Sequence, residues 1–288
     1  MGAMEIGLIF GLVALGVLIS FRILNFPDLT VDGSFPLGGA VAATLIATGV
    51  NPFIATAVAT AAGALAGVLT GWLNVSLKIM DLLAGILVMT ALYSINLRIM
   101  GKPNVPLIFE PTVFSVLMPG SLPDYIEKPL ILLVIVVIAK WLLDWYFSSE
   151  SGLAMRATGA NPRMARAQGV ATGWMKLVGL AISNALVALG GALFAQSQGG
   201  ADISMGIGTI VIGLAAVIIG ENVLPSRRIL WATLAVVVGA VLYRLFIALA
   251  LNSEWIGLQS QDLNLISSVL VVLVLVAPVL KRRLTPNR

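Results

Sequence analysis

Two carboxylates, Asp28 and Asp32, lie four residues apart in a polar segment between two apolar runs. The segment spans residues 25–39 and reads Asn-Phe-Pro-Asp-Leu-Thr-Val-Asp-Gly-Ser-Phe-Pro-Leu-Gly-Gly. A pair of this kind fits a proton-carrying or catalytic role, the lining of a polar path, a contact with a partner, or the capping of helix ends. The prolines and glycines around it predict a break in the helical structure, so capping explains the pair at least as well as catalysis.

The composition indicates a membrane protein and removes most catalytic chemistry. Of 288 residues, 59% are hydrophobic and 10% are charged, and the mean hydropathy is +1.03. Soluble domains carry about 25% charged residues, so we predict an all-α polytopic membrane protein. The chain has no cysteine and no histidine, which removes the commonest metal ligand and general base. We therefore expect no metal, cofactor or nucleic-acid site, and an intramembrane enzyme would have to use Asp28 and Asp32.

Apolar runs predict about nine transmembrane helices, because a span needs about 20 apolar residues. The runs cover residues 6–21, 37–50, 53–77, 82–100, 129–147, 177–195, 207–220, 229–251 and 265–280. The second and seventh runs are short, and they either cross the membrane or re-enter it. No basic residue precedes the first run, which favours a retained helix over a signal peptide.

The distribution of lysine and arginine predicts the orientation of these helices. If the helices alternate in direction, most basic residues fall on one side of the membrane: Arg22, Lys78, Arg156, Arg163, Arg166, Lys176, Arg227, Arg228, Lys281, Arg282, Arg283 and Arg288. Cytoplasmic loops carry this excess, so we predict an outside N-terminus and a cytoplasmic C-terminus. The connection 101–128 and the break near residue 199 would then lie outside.

The two halves of the chain, about 6–100 and 177–280, share an order of elements. In each half a full span leads to a break, a short apolar run, a turn with proline and a long helix. The breaks are 25–39 and 199–208, and an odd number of spans separates equivalent helices, so the halves would be inverted. Interrupted segments in corresponding positions of inverted halves indicate a transport path.

Polar residues in or beside the spans are the candidates for lining that path. They are Asp28, Thr30, Asp32, Asn74, Asn96, Asn184, Asp202 and Ser204.

The third run also carries Gly63, Gly67 and Gly71 on one helical face, and small residues at this spacing let helices approach closely in lipid. This ladder favours packing within the chain over a contact between subunits. Lys140 and Asp144 share a face of the fifth run and are expected to pair.

Two segments resemble a known transporter family. Residues 28–33, Asp-Leu-Thr-Val-Asp-Gly, are similar to the Asp-Leu-Ser-Val-Gly element of bacterial ABC importer permeases of the ribose and branched-chain amino acid type. Residues 159–170 resemble the cytoplasmic Gly-x-Asn-x-x-Ala-Ala-x-x-x-Gly-[Ile/Val] segment of that family, with Met164 in place of the first alanine. The resemblance extends over nearly the whole chain. The form at 26–33 looks most like the subgroup associated with uptake of aromatic amino acids, tryptophan or tyrosine.

The resemblance implies a single permease domain, residues 1–288, in the bacterial cytoplasmic membrane. Its partners would be a separate ABC ATPase subunit, an extracytoplasmic solute-binding protein, a second permease copy, for which a homodimer is favoured over a heterodimer, and the lipid bilayer. The chain itself would hydrolyse nothing. The segment 148–176 would couple to the ATPase, and its candidate contact residues are Gly159, Asn161, Pro162, Arg163, Ala165, Arg166 and Gly169.

Other functions fit parts of the pattern. The segment 148–176 also fits a plain basic loop, and the turn 221–228 is a second candidate ATPase contact. An amino acid-like solute is favoured, while a sugar or nucleoside remains an alternative. An ion-coupled secondary transporter also uses inverted repeats. The scarcity of carboxylates within the spans argues against it.

Overall fold

The computed structural model describes residues 2–117, 124–226 and 228–251, with the single positions 269, 272 and 276. This part of the chain is helical apart from two short strands and the connections. The helices are α1 (Gly2–Val17), α2 (Val31–Ala47), α3 (Pro52–Leu77), α4 (Asp81–Met100), α5 (Val113–Leu117), α6 (Asp124–Ser148), α7 (Glu150–Ala160), α8 (Pro162–Ala167), α9 (Thr172–Gln198), α10 (Thr209–Val223) and α11 (Ile229–Leu251). A π-helix (Leu18–Ile23) continues α1, a 3-10 turn (Ile203–Gly206) precedes α10, and the strands are β1 (Asn104–Pro106) and β2 (Gly200–Asp202).

Seven helical segments of the described residues are long and apolar enough to cross a membrane. They are Gly2–Ile23, Pro52–Leu77, Asp81–Met100, Ile126–Ser148, Thr172–Gln198, Ile203–Val223 and Ile229–Ala250. The all-helical, multi-pass architecture is thereby confirmed. The second run forms α2, which is apolar but shorter than a span. The ninth run, 265–280, lies outside the described residues except for three helical valines, so the count of nine stays a prediction.

Local sequence signals account for the helix ends. The side chain of Asn51 accepts a hydrogen bond from the Phe53 N–H at 2.9 Å, and Pro52 takes the first position of α3. α3 ends at Lys78, whose φ of 55° lies in the left-handed region. α9 ends at Gly199, where φ is 76° and no side chain opposes that conformation.

The helix ends of the bundle fall on two opposite faces. On one, which we call the basic face, Arg22 forms an ion pair with Glu221, and the Lys176 Nζ lies 3.0 Å from the Asn74 Oδ1. On the other, the strand face, β1 pairs antiparallel with β2, and the Ser197 hydroxyl donates to Glu5. The connection after α4 and the second break therefore share a face, while the cytoplasmic assignment of the basic face stays a prediction.

The core forms around α9, which packs along α3 and α2 on one side and α1 on the other. α1 in turn packs along α11 and α10. The ladder Gly63, Gly67 and Gly71 faces α9: a Cβ added at Gly67 would lie 2.1 Å from the Leu180 carbonyl oxygen. The small residues of α3 thus allow two backbones of the same chain to touch.

One polar contact ties α6 to its neighbour. Lys140 and Asp144 pair one helical turn apart, as the sequence predicts. The second Asp144 oxygen accepts a hydrogen bond from the Thr233 hydroxyl of α11 at 2.7 Å. Asp144 is buried, so the two partners together compensate a charge that would be costly to leave alone in the bundle.

Candidate translocation site

α2 and α10 begin inside the bundle and run to opposite faces. The Ser34 hydroxyl in the first turn of α2 donates at 2.7 Å to Asn184, which lies near the middle of the 27-residue helix α9. From there α2 runs to the strand face, where Ile46 packs in one cluster with Val105 of β1. α10 begins beside Asp32 and ends at the basic face, near Glu221. The N-termini of both helices therefore lie near mid-depth, that is, about halfway between the basic face and the strand face of the bundle. Each N-terminus is the positive end of a helix dipole.

Asp28 is held at this level by donors from two elements, and it is fully buried. One carboxylate oxygen accepts the Thr30 N–H at 2.9 Å, and the other accepts the Asn184 Nδ2 at 2.7 Å. Asn184 donates also to the Leu180 carbonyl oxygen at 3.0 Å, and its own Oδ1 accepts the Ser34 hydroxyl. A buried carboxylate is tolerated because these donors replace the water that it has lost.

α3 and α4 add polar groups to the same cluster. The hydroxyl oxygens of Thr30 and Thr70 lie 2.7 Å apart, and both side chains are fully buried. The Asn96 Nδ2 donates to the Gly33 carbonyl oxygen at 3.3 Å. The Asn96 Oδ1 is buried and lacks a hydrogen-bond donor among the residues that the structure describes. That oxygen is therefore an unused acceptor within the described part of the cluster.

Asp32 caps α10, a helix that begins 177 positions later in the chain, rather than its own helix. Its carboxylate accepts the Ile210 N–H at 2.7 Å and the Gly208 N–H at 3.4 Å. Gly206 allows this approach, since a Cβ there would lie 2.2 Å from the Asp32 carbonyl oxygen. The first break thus supplies the cap for the helix that follows the second break.

Replacing Asp32 by alanine is expected to lower stability by about 1 kcal/mol, because the α10 N–H groups lose a charged acceptor. Asp32→Asn keeps an acceptor oxygen and should lose less. The thermal unfolding midpoint of the purified chain in detergent checks the order wild type, Asn, Ala. Equal midpoints for all three proteins would mean that Asp32 does not cap α10.

Three of the candidates predicted from the sequence lie away from the cluster. Asn74 is on the basic face, where its Nδ2 donates to the Ile79 carbonyl oxygen at 2.8 Å. Asp202 and Ser204 are on the strand face, where the Ser204 N–H donates to Asp202 at 2.8 Å. The hydrogen bond from the Ser204 hydroxyl holds the pKa of Asp202 below its usual range. These residues cap local turns and do not contact Asp28.

Two members of the cluster, Ser34 and Thr70, were missing from the candidates predicted from the sequence. Ser34 lies one helical turn after Thr30, so both side chains share one face of the chain, and this spacing could have indicated it. Thr70 lies between Gly67 and Gly71 in α3, and its partner Thr30 is forty positions away. No local signal connects those two residues.

The segment 148–176 forms two short helices separated by Asn161. The Asn161 side chain accepts the Met164 N–H at 3.0 Å, and Pro162 is the first residue of α8. Pro162 also holds Asn161 in extended backbone, which ends α7. Gly169 follows α8 with a φ of 84°, a left-handed conformation that suits glycine.

The same segment is anchored on its inner side and exposed on its outer side. A Cβ at Gly159 would lie 1.7 Å from the Ile23 carbonyl oxygen, so this glycine lets α7 pack directly on the π-helix that ends α1. Ala165 is buried beneath α8. Arg163, Met164 and Arg166 are exposed, and α8 therefore presents a basic tip at the basic face.

A family model described as the branched-chain amino acid transport system permease component matches residues 3–278. The chain belongs to this permease family. The permease is 40% identical over 266 residues to the tyrosine transport system permease protein of Clostridioides difficile (strain R20291), which covers 92% of this chain and 86% of that relative.

Two further relatives of the permease differ in coverage. It is 36% identical over 275 residues to an uncharacterised protein of Rickettsia prowazekii (strain Madrid E), covering 93% of this chain and 94% of that protein. It is 30% identical over 155 residues to a nucleoside ABC transporter permease protein of Lactococcus lactis subsp. cremoris (strain MG1363), covering 52% of this chain and 43% of that protein. No solved structure shows significant similarity.

These comparisons confirm the family that the two sequence segments indicate. The protein is a permease of the ABC transporter family and a multi-pass membrane protein, in keeping with the inner membrane. Its named relatives are transport permeases rather than enzymes.

Proposed function

We propose that this permease forms the translocation path of an ABC importer for a small, amino acid-like solute. One observation carries the proposal: the N-termini of α2 and α10 lie near mid-depth around Asp28 and Asp32. Broken helices whose N-termini point at the membrane centre bind the anionic groups of solutes in other transporters. The Asn96 Oδ1 adds an acceptor for a solute N–H group. In the present conformation the site is closed, because the carboxylates satisfy the helix ends themselves.

The helix packing supports an inverted repeat within one domain, residues 1–288. If the halves 6–100 and 177–280 are equivalent, α1 corresponds to α9, α2 to α10 and α3 to α11. The contact of α3 with α9 then has its counterpart in the contact of α11 with α1. Both contacts use glycine: Gly67 meets Leu180, and Gly7 meets Val241, whose Cα would lie 3.0 Å from an added Cβ.

The partners follow from the two faces. A separate ATPase would bind the basic face through α8, and its closure would reach the path because Gly159 packs against the end of α1. A solute-binding protein would deliver its ligand at the strand face. A second permease copy would complete the membrane assembly. An amino acid is favoured as the solute because a relative covering most of the chain is named as a tyrosine permease.

Reconstitution in liposomes tests this function. The permease, its ATPase and its binding protein are combined, and uptake of radiolabelled tyrosine is measured with ATP inside or with an imposed proton or sodium gradient. We expect uptake that requires ATP and all three components. Gradient-driven uptake by the permease alone would instead identify a secondary transporter. If ATP drives uptake of a nucleoside but not of an amino acid, the proposed importer function is supported and the proposed solute class is wrong.

Reversing the charge at Arg163 tests the coupling assignment. Arg163→Glu places a carboxylate on the exposed tip of α8, and we expect about tenfold less ATPase to co-purify with the permease, because like charges at an interface oppose association. Lys102→Glu is the matched control, since Lys102 is exposed on the opposite face. Unchanged co-purification with Arg163→Glu would support the plain basic loop.

A further inference from the structure

A pocket of about 260 Å³ opens on the basic face between the end of α3, α8 and the start of α9. Its polar lining comes from Asn74, Lys78, Arg166, Thr172 and Lys176, together with the backbone at Gly173. No residue of this pocket except Asn74 belongs to the candidate translocation path. The pocket is therefore separate from the translocation path, although Pro162 and Arg166 belong to the segment 148–176.

The pocket carries an excess of positive charge. Lys176 is partly neutralised, since its Nζ lies 3.8 Å from the Asp81 Oδ1. Arg166 donates to the Thr172 hydroxyl at 3.3 Å, and neither Arg166 nor Lys78 forms an ion pair within the described ranges 2–117, 124–226 and 228–251. These cations come from three different elements, and they face one cavity.

Two features of the backbone bear on the positive charge of this pocket. α9 has Ala171 at its N-cap, no side-chain cap is formed, and the first turn of the helix lines the pocket. The free N–H groups of such an end favour an anion. Lys78 adopts φ 55°, a conformation in which glycine or asparagine is the usual residue. This conformation ends α3, and Lys78 is one of the residues that line the pocket.

The pocket lies at the level of the lipid headgroups in the membrane. Trp72, in the last turns of α3, is 46% exposed, and Trp174, in the first turn of α9, is 62% exposed. Tryptophan side chains on transmembrane helices concentrate at the membrane interface. Leu77 and Met80 are exposed beside Lys78, so an apolar surface continues from the pocket into the lipid region.

We propose that this pocket binds the phosphate of an anionic phospholipid headgroup from the leaflet at the basic face. Lys78 and Arg166 contact the phosphate oxygens, the α9 N-terminus adds N–H donors, and the acyl chains lie along the exposed apolar residues. Because Pro162 and Arg166 of α8 line the pocket, the bound lipid also fixes the position of α8 against the bundle. Basic pockets between transmembrane helices at this level are suited to such headgroups.

Native mass spectrometry of the delipidated, full-length permease in detergent tests the proposal. Titration with phosphatidylglycerol is compared with titration with phosphatidylcholine, which has no net charge. We expect one phosphatidylglycerol per chain with about tenfold higher affinity than phosphatidylcholine, and a loss of about fivefold in Lys78→Gly. Lys78→Gly removes the cation and suits the left-handed backbone, so this variant should fold. Lys102→Gly, on the strand face, should keep the wild-type preference.

Several results would overturn the proposal. Equal affinities for the two lipids, or an unchanged preference in Lys78→Gly, would show that the pocket does not select anionic lipid. Displacement of phosphatidylglycerol by millimolar inorganic phosphate would assign the site to free phosphate. Unaltered lipid binding in Lys78→Gly with weaker co-purification of the ATPase would assign the pocket to an acidic protein surface.

Discussion

Asn184→Asp is expected to abolish uptake by the permease, and the exchange Asp28→Asn with Asn184→Asp is expected to restore it. In the wild type the Asn184 Nδ2 donates to the Asp28 carboxylate at 2.7 Å, with both side chains fully buried. The single substitution places two carboxylates in contact without water. At an effective dielectric of 20, like charges about 4 Å apart repel by about 4 kcal/mol, so the pair must either bear that repulsion or bind a shared proton. That energy is a large part of the stability of a domain.

The double exchange preserves nearly every hydrogen bond of the cluster. Asparagine at position 28 still offers an oxygen to the Thr30 N–H, and its amide group donates to the new carboxylate at position 184. The Ser34 hydroxyl donates to the other oxygen of that carboxylate, as it now donates to Asn184. The bond to the Leu180 carbonyl oxygen is lost, and this oxygen then faces a carboxylate oxygen, from which it can turn away only slightly. One missing bond costs about 1 kcal/mol, so the double variant should remain folded.

Thermal unfolding in detergent and ATP-driven uptake in liposomes check this pair of outcomes. The control is Asp28→Asn alone, in which the Asn184 amide can turn over so that its oxygen accepts from position 28. We expect the thermal unfolding midpoint of this control to lie between those of the Asn184→Asp variant and the wild type. The unfolding is therefore measured at about pH 8, where a shared proton is more easily lost, and an Asn184→Asp protein as stable there as the wild type would mean that Asp28 and Asn184 do not meet in the folded chain.

Local signals were sufficient for most of the helices and for the second break, whereas residues 31–39 of the predicted first break are helical, with Pro36 inside α2. The helix ends at Asn51-Pro52 and Asn161-Pro162 depend on side chains within three residues, so their residue types are informative. The glycine spacing of α3 likewise predicts a close helix contact, although not its partner. The ambiguity of the runs 37–50 and 207–220 also has a physical cause: α2 and α10 start within the bundle, so hydropathy alone cannot fix where they begin.

The site itself depends on contacts between distant parts of the chain. Asp32 and Ile210 are 178 residues apart, and Asp28 and Asn184 are 156 apart. The sequence predicts that Asp32 caps the helix that follows the break, whereas its carboxylate caps α10. Gly159 stays a predicted ATPase contact, and the structure shows that this glycine also packs against Ile23. Nothing in residues 159–170 alone indicates that neighbour.

Gly67→Ala is expected to destabilise the permease and reduce uptake, whereas Gly71→Ala should be nearly neutral or stabilising. A methyl group at position 67 would lie 2.1 Å from the Leu180 carbonyl oxygen, which belongs to the rigid backbone of α9. At position 71 the nearest atoms are a Leu177 methyl carbon at 3.0 Å, which can rotate away, and the Leu177 Cα at 3.2 Å, which must shift by only a few tenths of an ångström. Overpacking against fixed atoms costs about 1–3 kcal/mol.

The two substitutions are closely matched, so their difference isolates packing. Both add one methyl group to the same helix, and both gain the same helix propensity, about 1 kcal/mol for alanine over glycine. The Gly67→Ala protein should therefore unfold at a lower temperature than the Gly71→Ala protein. Equal midpoints would show that α3 and α9 are separated enough for a methyl group at position 67.

The effect of Gly67→Ala should extend to the polar cluster. Thr70 lies one turn further along α3, and its hydroxyl oxygen is 2.7 Å from that of Thr30. If α3 moves away from α9, this contact lengthens, and the N-terminal turn of α2 loses its tie to α3. Uptake per folded molecule should then fall in Gly67→Ala but not in Gly71→Ala. A Gly67→Ala protein that is less stable yet transports normally would separate the helix contact from the path.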